Sequence, residues 1–521
     1  MSPGLALPLY WFVHIALLSP QGHISAQKHA DRGLQLAKAG NLSVAEFELR
    51  RAIDLAPRNP TYLGSLGTIL AMESKLIEST EYLSKALEIA PHDLTIRRNL
   101  AANFWHLHRL EEARQNLELI LKQSPGDEQA TLLLGMVCEN LQDYASAAKL
   151  LGSVTSLVWR HPESIAALAR SYYRTQGNRK ARQFLRKLLE GAAEPQKVYL
   201  GAQTAMEAED YETAEELFAS IKSSYPDRAT LAYYLALARY RTGRFSECHA
   251  TLREMIDASY WTSNTYELVG WCYAKQGKLK EAVDAFEHSI DLDPSKESTY
   301  LDLGTILVDH KMTDLAVSVA KLTVERFPES YRAHMMLGMV QAYVGLLTDA
   351  VKSYARAVEL NPNSPEANYD LAMAQSMAGF TETAMQTLER GIERFPRDTL
   401  HYEAHASFLV NLAEAGNAAA ESRAVSLLKS AISLDSSLPE PHYLLGRLEL
   451  TSNRTSEARG ELELAAKLNP RSAKIHFALS RAYHRLGLEA LAAKELRVYE
   501  DCAKEELKEG RERSTIKLRR W

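Results

Sequence analysis

His106 and His108, in the run "WHLHRL", are the first residues of this chain whose type and spacing suggest chemistry, because paired imidazoles can hold a transition metal or move a proton. Residues two apart do not share a helix face, so the pair reads instead as a solvated turn at the end of a helix. Cys138, Cys248, Cys272 and Cys502 contain no C-x-x-C, lack the spacing of a metal site and are too few to staple a chain of 521 residues. There is no G-x-x-x-x-G-K-[ST] loop, no G-x-G-x-x-G, no H-E-x-x-H and no G-x-S-x-G. Neither a cofactor, a metal, a small-molecule substrate nor a catalytic centre is expected. "NLS" at Asn41 and "NRT" at Asn453 match the glycosylation sequon, a motif short enough to arise by chance.

The elements that would have to position any site follow from periodicity. Apolar residues make up 46% of the chain and charged residues 24%, an ordinary globular balance. A net charge of -5 over 521 residues sustains no field, and no nucleic-acid partner is expected. Prolines recur every 34 residues at Pro57, Pro91 and Pro125, and again at Pro294, Pro328, Pro362 and Pro396. Glycines keep the same step at Gly33 and Gly67, and at Gly270, Gly304 and Gly338. In "YELVGWCYAKQGKLKEAVDAFEHSIDLDP", Tyr266, Val269, Gly270 and Tyr273 form one helix face and Ala282, Phe286 and Ser289 a second, with "QGK" as the turn. Gly270 and Ala282 allow two helix backbones to approach, Tyr273 and Phe286 fill the space beside them, and Pro294 ends the second helix.

These residues resemble the tetratricopeptide repeat, whose pattern is W-x2-L-G-x2-Y, then A-x3-F, then P. Tyr266, Val269, Gly270, Tyr273, Ala282, Phe286 and Pro294 match it position by position, with Tyr for Trp and Val for Leu. Stepping by 34 residues predicts about 14 repeats, starting at Ala26, Pro60, Leu94, Glu128, Pro162, Pro195, Ala229, Ser263, Glu297, Tyr331, Pro365, Thr399, Pro439 and Ala473. The fifth is one residue short, and the twelfth carries about six extra residues around "AEAGNAAAES". A small residue holds the matching second-helix position nearly throughout, from Ala45 to Ala492, with Ser79 and Cys248 as the departures from alanine. The resemblance implies an all-α fold, a right-handed superhelical solenoid of helix-turn-helix repeats in which each pair contacts mainly its neighbours.

In that family the first helices line a concave groove, and positions 2, 5, 9, 12 and 13 of each repeat meet a peptide or partner helix. Transferred to this chain, the resemblance implies a partner-binding surface that includes Arg170, Tyr173, Arg174, Tyr199, Tyr233, Tyr240 and Arg241 in repeats five to seven. Trp271, Met339, Tyr343, Tyr369 and Met373 continue it in repeats eight to eleven. Aromatic and Met side chains suit a peptide groove, and Arg captures carboxylates in two-pronged fashion. The alternative is that some of these side chains pack between first helices as core. No repeat combines Lys at position 5 with Asn at position 9, so a chaperone-tail clamp is not implied.

The N-terminal run "LALPLYWFVHIALL", Leu5 to Leu18, is followed by small residues that offer a cleavage point after Ala26. It is shorter than the roughly 20 residues that cross a bilayer. The expected organisation is a signal peptide at 1–26, repeats at 27–506 and a charged tail at 507–521 that solvates the last repeat. The expected function is a non-catalytic scaffold that binds a protein or peptide, exported from a bacterium-like cell or held at its envelope. Membrane association would come only through an uncleaved start segment. The alternative is a cytoplasmic accessory subunit that positions an enzyme or assembly.

Overall fold

A computed structural model of the chain describes residues 20–175, 177–190, 193–255 and 261–512. The apolar run Leu5–Leu18 and the basic end of the tail from 513 onward lie outside the described residues. Among the described residues every regular element is a helix. They gather into two compact units, Met1–Tyr260 and Trp261–Trp521. Within each unit a first helix packs on its own second helix, and that second helix on the first helix of the next pair, except in repeat five, where the first helix Pro162–Thr175 itself packs on Pro195–Glu207.

Unit one contains the pairs Pro20–Lys38 with Leu42–Leu55, Pro60–Met72 with Leu76–Ile89, Leu94–His106 with Leu110–Gln123, and Glu128–Asn140 with Tyr144–Ser153. It continues with Pro162–Thr175 and Gly177–Leu185, Pro195–Glu207 and Tyr211–Ser220, and Arg228–Arg241 and Phe245–Met255. Unit two opens with Ser263–Lys275 and Leu279–Leu292, and closes with Ala473–Arg485 and Glu489–Glu512. The first helix of the chain starts at Pro20, before the repeat boundary expected at Ala26, and Ala26 is buried within it. In the twelfth repeat the extra residues lengthen both helices, Thr399–Glu414 and Ala418–Leu434, and so leave the turn short.

Local chemistry sets these boundaries. The repeat proline ends a second helix, and two residues later a polar side chain caps the next first helix. Asn59 accepts from the Thr61 and Tyr62 amides, Asp93 from Thr95 and Ile96, and Ser364 from Ala367. Between the helices of each pair one residue takes a left-handed backbone. Gly277 (φ 72°) does so without strain, while Gln142 (φ 63°) and Glu209 (φ 58°) do so with a side chain attached.

The small second-helix residues Ala45, Ala113, Ala282, Ala350 and Ala458 are fully buried. Opposite them, a Cβ placed on Gly270 would lie 2.5 Å from the Phe286 ring, and one on Gly67 2.6 Å from Leu83. Close helix approach therefore depends on those glycines, and burying a side chain such as Phe286 there contributes about 1.5–3 kcal/mol. At Gly304 the matching second-helix residue is Ala320, and the space is taken by Met336 of the following repeat. Where Ser79 replaces alanine, its hydroxyl donates to the Gly67 carbonyl at 2.5 Å and accepts from Asn103 at 2.6 Å. Cys138 and Cys502 are buried free thiols, and burial pushes the Cys138 thiol up to about 11.

Candidate functional site

The first helices of repeats three and four and the entry to the first helix of repeat five enclose a cleft of about 570 Å3 in unit one. Trp105, Leu132, Leu133 and Met136 supply its apolar lining, and Arg98, Asn99, His106, Gln129, His161 and Glu163 its polar edge. These lie on the helices Leu94–His106 and Glu128–Asn140 and at the start of Pro162–Thr175. Of these, Arg98, Trp105, His106, Gln129, Leu132, Met136 and Glu163 occupy helical positions that the resemblance assigns to a groove.

The polar edge is held in place by bonds between repeats. Arg98 reaches the carboxylate of Asp127, which also caps its own helix by accepting from the Ala130 amide at 2.9 Å. Burial opposes ionisation of Asp127, but the Ala130 amide and Arg98 outweigh it and hold the carboxyl below its ordinary range. Arg98 Nε is buried and has no hydrogen-bond partner among the described residues. Asn99 donates to Thr68 at 2.9 Å, and the Trp105 indole to Asn140 at 2.7 Å. Asn140 donates to Glu139, and Arg170 clasps Glu139 at 2.5 Å and Glu207 at 3.3 Å. A continuous polar chain thus ties the first helices of repeats three to six, and fixes the Trp105 ring at the cleft.

The candidates expected from the sequence fall into distinct environments. Arg174 is exposed, and Arg241 is exposed with its guanidinium 5.6 Å from the Tyr211 ring. Tyr173 is half-buried and donates to Asp210 at 2.9 Å, while Tyr233 lies edge-on to Tyr234 and Tyr240 lies beside Phe245. Burial, with Asp210 beside it, pushes the Tyr173 hydroxyl well above its ordinary value. Tyr199 is a correction: it is 6% exposed, stacked on Tyr225 at 4.5 Å, and belongs to the core. The reason is the short second helix Tyr211–Ser220, after which the chain folds Tyr225 back over the ring. Arg170 is likewise a structural clasp, with Nη1 of its guanidinium committed to Glu139 and the Nε and Nη2 edge to Glu207.

In unit two, Trp271, Tyr343, Tyr369 and Met373 are half-buried. Trp271 donates to Asp302 at 3.2 Å, and Tyr369 lies edge-on to His401. Met339 is a second correction, since it is 8% exposed and packed in the core with Met335 and Met336. Burial between successive first helices takes it out of reach.

The cleft residues themselves were not among the expected candidates, which began at repeat five. The signal was available: Arg98, Trp105, His106, Leu132 and Met136 stand at positions 5, 12, 13, 5 and 9 of repeats three and four. His106, expected in a solvated turn with His108, is exposed at the cleft edge, whereas His108 takes a left-handed backbone (φ 57°) outside the helix. Among the described residues no group of His, Cys, Asp or Glu is placed to hold a metal ion, and no helix is long and apolar enough to cross a membrane.

Comparison with known proteins agrees with the helix pairing. A tetratricopeptide-repeat family model matches residues 98–154, 301–365 and 443–506, and a second matches 345–407. The model described as anaphase-promoting complex, cyclosome, subunit 3 matches residues 207–289. The chain is 20% identical over 289 residues to the CTR9 homolog of Arabidopsis thaliana, and spans about a quarter (26%) of that protein's length. Among solved structures, yeast Tom70 is 17% identical, covering 92% of this chain and 99% of that one, with a TM-score of 0.41. The C-terminal part of a repeat-containing protein from Cytophaga hutchinsonii is 16% identical, covering 46% of this chain and 96% of that one, with a TM-score of 0.39. With its helix-turn-helix pairs, its buried small residues at a fixed step and these matched segments, the chain belongs to the tetratricopeptide-repeat family.

Proposed function

We propose that this chain is a non-catalytic scaffold that holds an extended segment of a partner protein against its first helices, with the cleft of repeats three to five as the anchor. The family is one of protein-interaction scaffolds. The cleft carries the reading: its volume of about 570 Å3 has room for more than one side chain of an extended segment, and its lining by Trp105, Leu132, Leu133 and Met136 suits apolar ones. Arg98, Asn99 and Gln129 stand where the backbone of such a segment would pass. The exposed Arg174 and Arg241 extend the same reading within unit one, and the half-buried Trp271, Tyr343, Tyr369 and Met373 form a second stretch of contact in unit two.

The test is a photo-crosslinking residue placed at His106, with captured proteins identified by mass spectrometry from the wild-type chain and from Trp105→Ala with Leu132→Glu. The reading expects the double variant to lose most of the captured partner while its melting temperature stays within a few degrees. Capture of the same partner at the same yield would sink it.

Export is part of the proposal and draws its support from the apolar run Leu5–Leu18. Cleavage upstream of Pro20 would leave the first helix whole, whereas cleavage after Ala26 would cut through it at a buried position. Mass spectrometry of the mature N-terminus decides, and an intact Met1 in the cell would favour the cytoplasmic accessory subunit.

A further inference from the structure

Repeat five departs from the stacking of its neighbours. Its second helix, Gly177–Leu185, has 9 residues where Leu42–Leu55 and Leu110–Gln123 have 14, and it runs on into a single turn of 3-10 helix, Arg186–Leu189. The stacking contact onto repeat six passes instead to the first helix Pro162–Thr175, which lies directly on Pro195–Glu207. Residues 177–189 thus form a strap, anchored by buried Ala181, Phe184, Leu185 and Leu188, of which Leu185 and Leu188 come up against Gly201 of repeat six. A helix this short is marginal in water without its packing.

Charge takes the place of the missing helix contact. Residues 164–189 carry seven Lys and Arg and no Asp or Glu, while residues 198–221 carry six Asp and Glu and no Lys or Arg. On the strap, Arg182 donates to Asp210 at 2.7 Å and lies 3.8 Å from Glu212, and Arg186 donates to Glu216 at 2.9 Å. Asp210 is 1% exposed and also accepts from the Tyr173 hydroxyl at 2.9 Å. Burial opposes its ionisation, but Arg182 and Tyr173 outweigh it and hold the carboxyl below its ordinary range. Glu215, on the same helix as Glu212 and Glu216, turns away to Arg239 and Arg244 of repeat seven. The side chains of Arg179 and Lys187, also on the strap, have no hydrogen bond or ion pair among the described residues.

We infer that repeats five and six are joined by an electrostatic latch: the strap 177–189 opens off repeat six, while the other repeats of unit one stay folded, when raised salt takes Arg182 and Arg186 from their carboxylates. The two arginines do not hold equally. Arg186 and Glu216 are both well exposed, and such a pair contributes little. Arg182 meets a carboxylate that is wholly buried, so losing it leaves Asp210 charged and short of its partner, a far larger cost. Salt reaches this bond because Arg182 is itself 37% exposed, and the screening length falls from about 10 Å at 0.1 M to about 3 Å at 1 M, the length of the bond. Opening brings Leu185 and Leu188 to the surface among basic side chains, an apolar face that the closed strap withholds from any partner. Pro162–Thr175 still rests on Pro195–Glu207, so the stack is not broken at that point.

Hydrogen exchange of the full chain, read by mass spectrometry in about 0.05 M and about 1 M NaCl, tests the latch. The amides of the strap should exchange at least about fivefold faster at the higher salt, while those of Leu110–Gln123 change less than about twofold. At low salt Arg182→Gln should speed exchange of the strap about tenfold and remove most of its salt dependence, and Arg186→Gln should speed it less than about threefold. Arg179→Gln should leave it unchanged. Arg179 stands on the same strap without a partner, so its variant separates loss of the latch from loss of any arginine. Equal exchange of the strap at both salts in the wild type would overturn the inference, and that measurement requires no variant to fold. So would Arg179→Gln matching Arg182→Gln, or all helices of unit one gaining exchange together at high salt, which would make the opening global.

Discussion

Trp271 donates its indole N–H to Oδ2 of Asp302 at 3.2 Å, joining the first helices of two successive repeats in unit two. Burial, and then the nearby Glu267, push the Asp302 carboxyl from 3.8 up to about 6 despite that bond and the cations Lys296 and Arg332. The folded chain therefore keeps a proton on Asp302 that the unfolded chain has already released. Between pH 3.8 and about 6 the folded state binds the extra proton, so this group's contribution makes stability fall as pH rises and level off above about 6.

Asp302→Asn retains an acceptor for Trp271 and removes the charge. It should raise the stability at pH 7.5 by roughly 1–3 kcal/mol and flatten the pH dependence across the window just given. Glu449, pushed by burial and Glu461 from 4.5 up to about 7, acts in the same direction over a higher window. Urea midpoints at pH 4, 5.5 and 7.5 for the wild type, Asp302→Asn and the double variant with Glu449→Gln check both. A midpoint at pH 7.5 that drops in Asp302→Asn would contradict the prediction.

The turns between paired helices make a second prediction. Gln142 and Glu209 are exposed side chains held at φ 63° and 58°, a conformation that costs a non-glycine residue about 1–2 kcal/mol. Glycine removes that strain but adds unfolded-state entropy of roughly 0.5–1 kcal/mol. Gln142→Gly and Glu209→Gly should each stabilise by a few tenths to about 1 kcal/mol. Lys149→Gly, within the helix Tyr144–Ser153, should destabilise by about 1 kcal/mol. Thermal unfolding of the three variants separates turn strain from a general effect of glycine.

Arg170 and Arg174 look alike in the sequence and should behave oppositely. Arg170→Leu leaves Glu139, which is 7% exposed, without its clasp, and should destabilise by roughly 1–3 kcal/mol. Arg174→Leu changes an exposed side chain and should alter stability by less than about 0.5 kcal/mol. If partner capture depends on the exposed arginines, it should fall in Arg174→Leu without any loss of melting temperature.

The contrast marks the limit of what the residues disclose before folding. The repeat was legible because its cause is a pairwise contact at fixed spacing: a small residue such as Ala282 or Gly270 must face a large one in every copy, and Pro294 must end the helix. Capping is equally local, since Asn59 and Asp93 act on amides two and three residues away, but only the helix-ending proline was read from the sequence. The groove was less legible. Whether Tyr199 is open depends on Tyr225 and on where the helix Tyr211–Ser220 stops, and whether Arg170 is free depends on Glu139 and Glu207 in other repeats. The cleft at Trp105 needs three repeats at once to enclose its volume, and no single helix pattern reports that.

Gly270 tests the packing rule directly. A Cβ there would sit 2.5 Å from a ring carbon of Phe286, which is fully buried and meets the Trp271 ring edge-on at 5.9 Å. The ring cannot retreat without disturbing Trp271, so Gly270→Ala should destabilise by about 1–3 kcal/mol although alanine is the better helix former by about 1 kcal/mol. Phe286→Ala alone should lose about 3–5 kcal/mol through the cavity it leaves. Combined, the two should lose less than their sum, because the new methyl then occupies space the ring has vacated. Urea unfolding of the wild type, both single variants and the double variant gives the coupling energy. A coupling near zero would mean that Gly270 is required for some reason other than the approach of the Phe286 ring.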